Sequence, residues 1–255
     1  MGTPLYFTAQ GGFILVTAVY IALFIREIRR GLAATSWDGP RRKIFMNRII
    51  FTLVLWAAFV TAWSVSGKMS DFSNFPFNFM PVILIPAILA VVFIPSKAIG
   101  EILHHIPAGN LILLQSFRFF VEILLWILFT VSVLPVQMTF EGRNFDILAG
   151  ITAPVIALLA SRGKISKTGI IVWNIVCLGL LLNIVITAIL STPSPWRVFM
   201  NEPANYIVTY FPISLLPAFL VPLAYYLHFM SLRQMFQPTK IVSQKMNHQP
   251  LSAEK

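Results

Sequence analysis

The chain has 255 residues, 57% of them hydrophobic and 11% charged, with a mean hydropathy of +0.80. A soluble domain carries about 25% charged residues, so a soluble enzyme or binding module is excluded. The net charge of +10 does not mark a nucleic-acid binder either, because the basic residues are divided among four short segments.

A helix crosses the roughly 30 Å hydrocarbon core with about 20 apolar residues at 1.5 Å each. Seven stretches meet or approach that length: Tyr6–Ile25, Ile49–Ser66, Phe79–Ile94, Leu111–Leu134, Phe145–Ala160, Gly169–Leu190 and Tyr206–Ser231. They are unbroken apolar runs rather than alternating ones, which reads as helices and not as barrel strands. The fold expected is all-α: an integral membrane bundle of seven transmembrane helices, one domain over 1–233, followed by a disordered cytoplasmic tail, 234–255.

The first stretch has no Lys or Arg before Arg26, so it is a retained span and not a cleaved signal, which needs a basic start. A basic segment follows, with Arg26, Arg29, Arg30, Arg41, Arg42, Lys43 and Arg48. The loop after the second span holds only Lys68. The third span contains Pro81 and Pro86, each of which removes a backbone hydrogen bond and kinks its helix. Next come His104 and His105. Adjacent residues lie about 100° apart on a helix and do not chelate as an i,i+4 pair does. His228 near the end of the seventh span could approach them, but no fourth ligand is placed there, so no metal is expected.

The fourth span carries Gln115, Arg118, Glu122 and Trp126 at spacings that put all four within about 80° of one helix face. Such a stripe among Ile, Leu, Val and Phe must face the bundle interior or a water-filled cavity. Glu122 is at the middle of its span, where an ionised carboxylate is costly unless paired or hydrated, and intramembrane acids are often functional. Arg118, nearer the cytoplasmic end, is placed to snorkel toward headgroups or to pair with Glu122. Two readings stand together: an Arg118–Glu122 pair locking the bundle, and a solute or proton site lined by all four residues.

The outer loop Phe140-Glu-Gly-Arg-Asn-Phe-Asp146 carries both signs of charge. In one reading Asn144 or Asp146 caps the fifth helix and Glu141 and Arg143 form surface ion pairs. In the other, Glu141, Arg143 and Asp146 are an extracytoplasmic gate above a cavity at Glu122. In the sixth span Cys177 reads as a small buried hydrophobe, and as the only cysteine it has no internal disulfide partner. Asn174 and Asn183 face opposite sides there, with interhelical hydrogen bonds as their expected role. The seventh span has Pro212, Pro217 and Pro222 and no Lys, which excludes a retinal Schiff base there.

Fifteen Lys and Arg residues fall in alternate connections and the tail, against Lys68, Arg143 and Arg197 in the others. This bias puts the N-terminus outside and the C-terminus in the cytoplasm. The basic residues then face anionic headgroups at the cytoplasmic surface.

Thr17–Leu23 in the first span resembles Thr152–Leu158 in the fifth, and Pro81–Leu89 in the third resembles Pro212–Leu220 in the seventh. Such offsets fit two parallel three-helix units joined by the fourth span, one way small transporters are built. With its outside N-terminus, this 3+1+3 layout resembles the sugar-efflux and Pro-Gln-loop transporters, and that resemblance implies a midplane solute site. The chain lacks their Pro-Gln dipeptides, and its first span has no proline, so the likeness is one of topology. The stretch Gln137–Asp146, with the proline-rich last span, resembles bacterial multi-pass membrane proteins of no assigned function, which implies a bacterial inner membrane.

No G-x-S-x-G, H-E-x-x-H or G-x-x-x-x-G-K-[ST] motif is present. No catalytic residue, cofactor or nucleic-acid partner is expected. The expected function is small-solute transport or ligand binding in a midplane cavity near Glu122. The alternatives are a sensor or scaffold acting through the basic cytoplasmic loop, and an intramembrane enzyme. The expected partners are the bilayer, an unidentified small molecule and, as an open alternative, further copies of the chain.

Overall fold

The computed structural model describes residues 2–237, which form nine α-helices and no strand. In chain order these are α1 (Pro4–Ala33), α2 (Gly39–Val65), α3 (Met80–Phe93), α4 (Lys97–Leu103), α5 (Ala108–Leu114), α6 (Phe117–Thr130), α7 (Ile147–Ser161), α8 (Lys167–Ser191) and α9 (Val221–Phe236). Among the described residues, four helices are long and apolar enough to cross a membrane: α1, α2, the continuous Ala108–Thr130 formed by α5 and α6, and α8. A fifth arises if α3 and α4, bent by 78°, count as one span. Helix α7 has 15 residues. At 1.5 Å per residue that is about 22 Å, short of the hydrocarbon thickness.

Side-chain caps start the regular helices. Thr3 Oγ1 accepts from the Tyr6 N–H and Ser166 Oγ from the Gly169 N–H. The interruptions follow from proline and from local tightening. Pro95 lies at the α3–α4 bend; Ser96 caps α4, and the Ile94 carbonyl at the bend takes a hydrogen bond from Arg233. Between α5 and α6 the chain tightens to i→i−3 bonds, Gln115 to Ile112 and Ser116 to Leu113, both at 3.0 Å. Before α9, Leu216–Leu220 is a π-helical turn. Pro222 has no N–H to offer the Ala218 carbonyl, which accepts the Trp56 indole at 2.9 Å instead.

The α5–α6 unit is the centre: 61% of its apolar 18-residue stretch is buried, against 17% for the corresponding stretch of α1, 11% for α2 and 28% for α8. Helix α7 approaches it through small residues, as apolar solvent requires of close helix pairs. A Cβ at Gly109 would stand 2.8 Å from the Ala157 carbonyl oxygen, and one at Gly150 would land on the backbone of Phe119. Helix α9 continues to Phe236, so residues 234–236 are helical where a polar tail was expected. Gln234 holds them by donating to the Leu103 and Ile106 carbonyls, both at 2.8 Å. The expected tail from 238 onward lies outside the described residues.

Candidate functional site

The stripe on α6 and the connection after it form a single site. Helix α6 ends at Thr130, earlier than the apolar run suggests, and Ser132 turns the chain with a left-handed φ of 56°. The following segment does not stay at the end of the bundle. It runs back down between α6 and α8. Along α6, Trp126 Nε1 donates to Glu141 at 2.6 Å, Asn144 Nδ2 donates to both Glu122 oxygens at 2.7 Å, and Arg118 reaches Asp146. Along α8, Gln137 donates to Ser191 at 3.1 Å and Asn183 donates to the Arg143 carbonyl at 2.7 Å. Twelve residues of α6 separate Arg118 from Thr130, so Asp146 lies about 18 Å below the top of that helix. Irregular backbone at such depth is tolerated where protein buries it, and Thr139, Asn144 and Asp146 are all buried.

Arg118 is the hub. Its Nε donates to Asp146 Oδ2 at 2.6 Å and its Nη2 to Asp146 Oδ1, a two-point ion pair with both side chains buried. Nη2 also donates to the Cys177 carbonyl at 3.1 Å, and Nη1 faces His228 Nε2 at 2.9 Å. A guanidinium only donates, so Nε2 accepts and the proton of the neutral ring sits on Nδ1. Nδ1 then donates to Asn174 Oδ1 at 2.8 Å, and Asn174 Nδ2 donates to Ser231 at 3.0 Å. Arg118 is ten residues from the start of α5 and Cys177 ten from the start of α8, about 15 Å in each case. A polar layer therefore crosses the bundle at mid-height, from Asp146 through Arg118, His228 and Asn174 to Ser231.

This corrects the sequence reading of Arg118. It neither snorkels, being 1% exposed, nor pairs with Glu122. The partner is Asp146, because the descending segment brings a second carboxylate to the arginine in bidentate geometry. Asp146 accordingly does not cap α7 with its side chain; Asn144 Oδ1 instead accepts from the Asp146 N–H at 3.1 Å. Asn174 makes the interhelical bonds expected of it, while Asn183 serves the descending segment.

A cavity of about 120 Å³ lies directly above the polar layer. Arg118, Glu122 and Asp146 form its charged wall, and Phe75, Phe79, Phe117 and Tyr225 are among its aromatic ones. Residues between Leu181 and Thr192, on α8 and its C-cap, and between Leu216 and Tyr225, including the π-helical turn, complete it. The other candidates lie outside this cavity. Gln115 donates to the Ala224 carbonyl at 3.0 Å, Trp126 is tied to Glu141, and Arg143 lies over the Phe199 ring at 5.2 Å. His104 and His105 are exposed, and no group of three or more metal-type side chains occurs among the described residues. Two residues matter that the sequence reading did not assign to the site: His228, through its contact with Arg118, and Asn205. Asn205 is fully buried and lines the cavity, and its Oδ1 has no partner.

Residues 75–236, well over half of the chain, match the family described as Domain of unknown function (DUF8737), and the chain belongs to that family. No curated protein and no solved structure matches the chain.

Proposed function

We propose that this member of the DUF8737 family is a seven-span membrane protein that binds and passes a small solute through the cavity beside Glu122. The observation that carries the reading is the cavity itself: an apolar, aromatic chamber at membrane depth with charged side chains in one wall. Ligand sites have that character, a few convergent polar groups in a mostly apolar hollow. Ionisable groups buried inside a membrane bundle are a recurrent mark of solute and proton paths. The π-helical, proline-bounded turn on the opposite wall adds a place where the helix can rearrange.

Seven crossings follow if α3–α4, α7 and the 206–231 segment each traverse the bilayer beside the four long helices. The charge bias sets the N-terminus outside and the C-terminus in the cytoplasm. The cavity walls at Phe75, Thr192 and Asn205 then belong to the external side, and the Arg118–Asp146–His228 layer closes the path below. Cysteines introduced at Ser73 and Ser194 label from outside intact cells in this arrangement, and one at Ser36 does not; the reverse pattern overturns the orientation.

The cavity reading is tested by screening a panel of small metabolites for thermal stabilisation of the reconstituted protein. A ligand of this site stabilises the wild type and loses its effect in Ala188→Trp, which fills the chamber. No such compound, or one indifferent to Ala188→Trp, overturns the reading.

A further inference from the structure

The charge balance of the cavity wall identifies the class of solute, granted the cavity reading. Arg118 is fully engaged by Asp146, the two forming a neutral pair. His228 is held as a neutral ring between Arg118 and Asn174. Glu122 is then the one acid in the wall outside an ion pair among the described residues, and its hydrogen bonds come from the neutral amide of Asn144. The titratable or charged groups around Glu122 are Arg118 on its own helix, Asp146 on the descending segment, Cys177 on α8, and Tyr225 and His228 on α9; none supplies a free positive charge.

We propose that the solute is an amphiphilic organic cation, a primary ammonium on an apolar or aromatic body, with Glu122 as its counter-ion. The remaining walls support an ammonium rather than a metal ion. A hard cation needs a shell of oxygens, and beyond Glu122 the cavity offers chiefly the unpaired Oδ1 of Asn205 and the unpaired hydroxyl of Tyr225. Those two acceptors match the several N–H donors of an ammonium. The Phe75, Phe79, Phe117 and Tyr225 rings suit its body and attract its charge.

Phenethylamine, 2-phenylethanol and 3-phenylpropionate carry the same ring on short chains and differ in charge, and their dissociation constants are measured with the full chain reconstituted in lipid. The amine should bind about tenfold or more tighter than the alcohol, the scale of one charge-assisted hydrogen bond, and the carboxylate most weakly. Glu122→Gln should abolish the preference for the amine over the alcohol, and Asn205→Ala should weaken the amine several-fold. The wild-type ranking alone decides the matter if Glu122→Gln does not fold. An amine no tighter than the alcohol, a preference that survives Glu122→Gln, or no binding by any of the three overturns the proposal. If a panel compound of another charge binds the wild type but not Ala188→Trp, the cation reading falls while the cavity reading stands.

Discussion

An 18-residue stretch of helix α2 and one of the α5–α6 unit have nearly the same mean hydropathy, 1.8 and 2.0, yet 11% of the first stretch and 61% of the second is buried. Hydropathy measures membership of the membrane and is blind to position within the bundle. Position comes from the exceptions to apolarity. Helix α2 has no charged residue beyond Arg48 and keeps its interior face to a few anchors: Trp56 to the Ala218 carbonyl at 2.9 Å, Trp63 to Asn78 at 3.0 Å and Ser64 to Thr209 at 2.8 Å. The α5–α6 unit carries Gln115, Arg118 and Glu122, and their need for partners inside the protein draws α9 and the descending segment onto it. One helix is held by its edges, the other by its charges.

The sharpest way to break this contrast is at Gly150. A methyl group there meets the Phe119 backbone, which cannot step aside, so Gly150→Ala should cost about 3 kcal/mol and strip the protein of a cooperative melt. Gly179 on α8 has open space around its Cβ position, and Gly179→Ala should leave the melt within about 0.5 kcal/mol. Equal losses at the two glycines would mean that α7 does not pack where the structure has it. Next in size is Asn144→Ala, which removes the donor to Glu122 and to the Met138 carbonyl and should cost about 1–3 kcal/mol in thermal unfolding. Smaller again is Trp56→Phe, one hydrogen bond worth about 1 kcal/mol. Smallest is Val54→Ala on the outward face of α2, with a change under about 0.5 kcal/mol. A Val54→Ala loss as large as that of Asn144→Ala would erase the distinction between the two helices.

The all-helical class, the apolar stretches and the inward facing of Gln115, Arg118 and Glu122 were legible because 3.6-residue periodicity and apolar length act locally. The identity of the arginine's partner was not. Glu122 lies one turn from Arg118 in sequence, whereas Asp146 reaches it only because the chain re-enters the bundle. That re-entry was hidden by counting Val131–Leu134 as helix, which left a connection short enough to read as a surface loop. With the helix ending at Thr130 the connection to Ile147 is long, and long connections inside compact domains usually carry function. Its polar residues Gln137, Thr139 and Asn144 were the available signal, since a surface loop has no need to bury them. Asn205 gave none: an isolated asparagine in a loop is ordinary, and only the cavity beside it makes its unpaired oxygen notable.

The Arg118–Asp146 pairing is tested most directly by a pair of double-mutant cycles on thermal stability, Arg118→Gln with Asp146→Asn and Arg118→Gln with Glu122→Gln. Breaking a buried ion pair by removing one partner costs about 3–5 kcal/mol, and removing both relieves much of it. Asp146→Asn is expected to rescue Arg118→Gln strongly, while Glu122→Gln rescues it by less than about 1 kcal/mol, the scale of a secondary electrostatic contact. A larger coupling of Arg118 to Glu122 than to Asp146 would contradict that pairing.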